Sequence, residues 1–123
     1  MTIRTLCLIL LCVCLSAIAQ ITLKTGMSSS RVMAAMAGDG VTAAFTVATT
    51  PAVIIGLALY GFGAVAWLLV LNKVDVSMAY PFNGIGFIVT SALAVMLLGE
   101  HVGILRWIGT LLVAGGVYLV AIG

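Results

Sequence analysis

The sequence predicts an all-α integral membrane bundle of four transmembrane helices, and three observations lead there. Hydrophobic residues make up 64% of the 123 residues and charged residues only 7%, whereas a water-soluble surface needs about 25% charged side chains. The apolar residues gather into four runs, each near the roughly twenty residues that a helix needs to cross a hydrocarbon core about 30 Å thick. Short polar segments separate these runs, apart from one longer stretch. No length remains for a soluble domain, so 1–123 reads as a single domain. The formal charge of +2 is too small to suggest a nucleic-acid partner.

The first span is expected over 6–24, entered after Arg4 and closed by Lys24. Arg4, the apolar run and Ala17-Ile18-Ala19 also satisfy the pattern of a cleaved signal peptide. Apolar character continues past Ala19 to Leu23, which suits a retained span better. Ser16, Gln20 and Lys24 lie four apart and share one helix face. An amide in a membrane is costly without a partner, so Gln20 should turn toward the bundle interior, while Lys24 reaches the interface. The row reads either as interhelical glue or as a polar wall with a cation at its rim. Cys7, Cys12 and Cys14 all fall in this span and read as small apolar fillers, not as a disulfide framework or zinc site.

Residues 25–51 interrupt the apolar pattern with Ser28, Ser29, Ser30, Arg31, Gly38, Asp39 and Gly40. A connection of this length is uncommon between packed helices. Its small apolar runs, Val32 to Ala37 and Val41 to Ala48, suit either loop or short interfacial helices.

The second span is expected over 52–71. Gly56, Tyr60, Gly63 and Trp67 fall on one stripe that reads as helix packing, with Trp67 also placed to anchor at the interface. The short turn holding Lys73 and Asp75 makes the second and third spans a tight antiparallel pair.

The third span, 77–98, carries the most informative pattern. Tyr80, Asn83, Gly84, Phe87 and Ser91 share a stripe that mixes hydrogen-bonding groups, an aromatic ring and a glycine. Lipid alone asks for none of these, so the stripe should face other helices or a cavity. Packing with hydrogen-bond glue is the plainer alternative. Pro81 near the helix start predicts a local irregularity beside Tyr80.

Glu100, His101 and Arg106 mark the next turn. The carboxylate reads either as a helix-boundary group or as part of a site, and the single histidine as a solvated loop residue. The fourth span, 104–122, has a flank of Gly109, Thr110, Ala114, Gly115 and Gly116, suited to helix packing within or between chains. Four spans bring both termini to one side. Arg4, Lys73 and Asp75 therefore share one surface, and Lys24, Arg31, Asp39, Glu100, His101 and Arg106 share the other. The cations divide too evenly to fix which surface faces the cytoplasm.

The order of short motifs resembles a known group. The first span ends in A-Q-x-x-x-K-x-G (Ala19 to Gly26), the second in W-L-L-V-L (Trp67 to Leu71), and the third opens on S-M-A-Y-P (Ser77 to Pro81) and closes on L-L-G-E (Leu97 to Glu100). With the glycine-rich Gly109 to Val117, these resemble the four-helix members of the drug/metabolite transporter superfamily, EamA-like and small multidrug resistance-like. Small multidrug resistance exporters use a glutamate in the first helix, two turns before its closing lysine, to exchange protons for lipophilic cations. Ser16 stands in that place. The Gln20 and Lys24 pair and the A-Y-P of Ala79 to Pro81 are more similar to subunits that flip aminoarabinose-phosphoundecaprenol.

That resemblance implies a transporter, not an enzyme, which moves a polyprenyl-phosphate-linked sugar across the bacterial inner membrane, as a homodimer or with a similar four-helix subunit. It implies no cofactor or metal. A phosphate could be neutralised by Lys24 and Arg106 through charge-assisted hydrogen bonds. Gln20, Tyr80, Asn83 and Ser91 would meet sugar hydroxyls or phosphate, Phe87 would stack on the ring, and Glu100 would pair with Lys24 when the site is empty. Proton-coupled export of lipophilic cations and a non-transporting accessory subunit are the alternatives. No paired carboxylates, nucleophile with base or metal-ligand set appears at usable spacing for catalysis.

Overall fold

The computed structural model describes residues 2–123. The chain folds into helices α1 (Ile3–Met27), α2 (Ser30–Met36), α3 (Gly40–Thr49), α4 (Pro51–Lys73), α5 (Val76–Ala79), α6 (Asn83–Leu98) and α7 (Ile104–Ile122). A single 3₁₀ turn, Tyr80–Phe82, links α5 to α6, so these run as one rod from Val76 to Leu98. With α1, α4 and α7, that rod makes four helices long and apolar enough to cross a bilayer. The protein is a multi-pass, all-α membrane protein.

Each boundary has a local cause. The Thr2 hydroxyl caps α1 by accepting from the Thr5 backbone N–H. Pro51 starts α4 at a position where a missing N–H costs nothing. Pro81 has no N–H to continue the α-helical ladder, and the 3₁₀ turn at Tyr80–Phe82 is the result. Gly99 ends α6 with φ of 67°, a left-handed conformation that side chains other than glycine resist, and the Glu100 N–H bonds back to the Ala94 carbonyl at 3.2 Å.

The stretch 25–51 contains two short helices. Arg31 Nη2 donates to Thr49 Oγ1 at 2.8 Å and ties α2 to α3, while Val32 is fully buried beneath them. One residue, Thr50, then separates α3 from α4. The hairpin is therefore joined at both ends to candidate membrane spans.

The first span is the hub. Helix α1 lies along α4 on one side and against α6 on another, and α7 rests on α6. Glycines set these approaches: a Cβ at Gly56 would stand 2.7 Å from Leu23 Cγ, and one at Gly84 would stand 2.6 Å from Val113 Cγ1. Both distances are too short for any side chain, so α4 meets α1, and α6 meets α7, at glycine surfaces. Ile9, Cys12, Val13, Val70, Ala79, Phe82 and Val117 form a buried cluster toward the end where α1 begins and α4 finishes. Beyond it, α6 and α7 bury only Ala94 between them, so the bundle opens toward the Gly99 end.

Candidate functional site

Two adjoining hollows occupy that opening. The first, of about 330 Å³, is walled by α1, α4 and α6 and their approach turn. Gln20, Tyr80, Asn83 and Phe87 all line it, joined by Ser16, Tyr60 and Thr90. The second, of about 540 Å³, lies between α6 and α7 and is lined by Ser91, Glu100, Arg106 and Thr110. Phe87 and Thr90 line both, so the two adjoin along α6, and together they make up the groove. Tyr80 and Phe87 stay largely exposed at 65% and 58%, which leaves this wall open to the surrounding lipid.

Tyr80 opens the 3₁₀ turn that precedes α6 and shares the hollow with Asn83 and Phe87. Polar groups in an apolar helix need partners, and here they divide into two kinds. Thr22, Thr25 and Thr110 donate to carbonyls four residues back, at 2.8, 2.9 and 2.8 Å, and are satisfied within their own helices. Gln20 instead reaches across the groove, where its side-chain amide donates to the Tyr60 hydroxyl.

Of the eight residues singled out in the sequence, seven line this groove. Lys24 is the exception: one turn beyond Gln20, it is exposed and lines neither hollow, while Glu100 shares its hollow with Arg106. Tyr60 is the residue that sequence reasoning gave to packing. Its stripe of Gly56, Gly63 and Trp67 does pack, since Gly56 and Gly63 face α1, yet the same stripe carries the phenol to the groove. A tyrosine hydroxyl between two packing glycines was the available signal. Ser16 also lines the groove, so the place where the exporters carry glutamate lies inside it and holds a hydroxyl.

All three cysteines are free, with Cys12 buried and Cys7 and Cys14 exposed. Among the described residues no group of three His, Cys, Asp or Glu side chains is placed to hold a metal ion.

Over 65 residues the chain is 43% identical to a probable 4-amino-4-deoxy-L-arabinose-phosphoundecaprenol flippase subunit ArnE of Pseudomonas fluorescens, covering 51% of this chain and 57% of the relative. Over that stretch the chain is similar to ArnE flippase subunits. Subunits of the same name from Escherichia coli and Pseudomonas syringae are 37% identical over 65 residues and 36% identical over 64. Those matches cover 53% and 52% of this chain and 59% of each relative. The chain thus spans 57 to 59% of the length of these ArnE relatives. No family model and no solved structure matches it. The resemblance to aminoarabinose-lipid flippase subunits, read from the order of motifs, is borne out.

Proposed function

We propose that the chain is a transporter subunit that moves the headgroup of a polyprenyl-phosphate-linked sugar across the bacterial inner membrane, together with a second four-helix subunit. The observation that carries this reading is the convergence of Gln20, Tyr60, Tyr80 and Asn83 on one groove open to lipid. Such a substrate has a hydrocarbon tail at home in the bilayer and a headgroup that is not. A groove open sideways lets the tail stay outside while the sugar passes between α1 and α6. Hydroxyl, amide and phenol groups replace the water that the sugar hydroxyls give up, and Phe87 offers a flat face to the ring.

Charge sits at the end of the groove. Arg106 lines the second hollow and neutralises phosphate there, with Lys24 as a flexible rim cation one turn above Gln20. The names of the ArnE relatives support this reading over catalysis. Ser16 weighs against proton-coupled export of lipophilic cations, because a hydroxyl neither carries the proton nor pairs with a cation.

Helix α7 supports the two-subunit part. A Cβ at Gly115 or Gly116 would meet nothing within 4 Å, so this part of the small flank packs against nothing within the chain. We place a second subunit, identical or similar, against that flank.

The test is translocation of a polyprenyl-phosphate aminosugar in vesicles, read by its amine becoming accessible to an impermeant reagent. The chain with a second four-helix subunit should move the lipid. Gln20→Ala, Asn83→Ala and Lys24→Ala should each slow it about tenfold or more, the scale of losing a hydrogen bond to a charged or desolvated group. Normal rates in Gln20→Ala and Asn83→Ala would remove the groove from the pathway, a normal rate in Lys24→Ala would remove the rim cation, and lipid movement that is the same with or without the chain would leave it an accessory subunit.

A further inference from the structure

A hollow of about 720 Å³ lies at the opposite membrane face from Glu100 and Arg106, and the transport reading gives it no role. It is lined by Thr2, Ile3, Arg4, Thr5, Lys73 and Val74. Arg4 stands in the first turn of α1 and Lys73 is the last residue of α4, so two cations from helices 69 positions apart in sequence converge on one space. Among the described residues no carboxylate lines it, and Asp75, the acidic residue nearest in sequence, lies outside its lining.

We propose that Arg4 and Lys73 form a binding site for a phosphate-bearing lipid headgroup at the membrane face where α1 begins and α4 ends. Two like charges facing one hollow repel each other, and an anion between them relieves that repulsion. Both side chains belong to the end turns of membrane-crossing helices, which puts them at the level of lipid phosphates. The first turn of α1 carries no acidic residue, and its N–H groups add partial positive charge to the same side. Ile3, exposed at 78%, gives the hollow an apolar lip against which acyl chains pack. Arg4 supplies a planar fork suited to two phosphate oxygens, and Lys73 a mobile point charge.

The phosphate has two sources, an anionic phospholipid of the bilayer or the polyprenyl phosphate of a transported lipid at the other end of its crossing. The site needs only the shared phosphate chemistry and stands without the transport reading. Native mass spectrometry of the full chain, released from vesicles of phosphatidylethanolamine with phosphatidylglycerol, reads it directly. A parallel arm adds undecaprenyl phosphate, and another adds inorganic phosphate without anionic lipid.

The wild-type chain should retain phosphatidylglycerol or undecaprenyl phosphate, whichever displaces the other naming the source. Arg4→Gln with Lys73→Gln should cut retention about tenfold or more, as expected from losing two interfacial cations. Arg4→Lys should keep most of it, and so should Arg31→Gln, which removes a cation on the other face. The proposal fails if the double variant, folded by circular dichroism, holds lipid as well as wild type, if Arg31→Gln loses as much, or if inorganic phosphate is held as tightly as either lipid. Retention is measured apart from translocation, so loss of one with the other intact separates this site from the groove.

Discussion

Gln20 on α1 donates its side-chain amide to the hydroxyl of Tyr60 on α4, a bond between residues 40 apart in the sequence. It joins the two most closely packed spans at the wall of the groove, and both side chains remain within reach of an occupant. The bond is therefore both a lock between helices and a pair of groups that a headgroup can borrow.

Breaking it from either side should show the pair acting as a unit. Gln20→Ala and Tyr60→Phe should each lower stability modestly, with a coupling of about 0.6 kcal/mol and at most about 1.7 kcal/mol between them, the range of such bonds within membranes. Reversible unfolding in mixed micelles across the double-mutant cycle measures it. Full additivity would mean that the two groups do not meet.

Gly84 holds α6 against α7. In Gly84→Ala the new methyl would fall 2.6 Å from Val113 Cγ1 and 2.9 Å from Val117 Cγ2, and β-branched side chains have little rotamer freedom to yield. Overpacking of this kind costs about 1–3 kcal/mol. Adding Val113→Ala should recover part of that loss, and unfolding midpoints of the single and double variants check it.

The α2–α3 hairpin presents Met33, Met36, Val41 and Phe45 outward. Val41, Ala44, Phe45 and Ala48 lie on one exposed face of α3, as spacing by three and four requires. That face should lie in the lipid interface. A tryptophan placed by Phe45→Trp should be quenched by lipids brominated high on their acyl chains, and Phe45→Asp should loosen the hairpin without unfolding the spans. An unquenched tryptophan would place this face in water or against protein.

Ser16 tests what separates this groove from that of the proton-coupled exporters. The wild-type protein should release no protons when a quaternary ammonium compound is added. Ser16→Glu sets a titratable carboxyl group in the groove. Cation binding should then appear and strengthen as pH increases, because deprotonation creates the partner charge. Proton release by the wild type, followed with a pH indicator, would contradict the assignment of Ser16.

Much of the architecture was legible without coordinates, because bilayer thickness dictates the length of an apolar helix and water exclusion makes every backbone group bond within it. The four spans, the irregular point at Pro81 and the polar stripe of Tyr80, Asn83, Phe87 and Ser91 all follow from such local rules. Rotation of each helix about its axis does not. A span that is apolar nearly all round carries little periodic signal for its inward face, and neighbouring helices set that face by packing. Only the folded arrangement made α1 the hub, turned Tyr60 from packing stripe to groove wall, and put Arg106 and Glu100 in one hollow with Lys24 outside it. It also brought Arg4 and Lys73 together at the far end, because α4 runs along α1 in the opposite direction and ends where α1 begins.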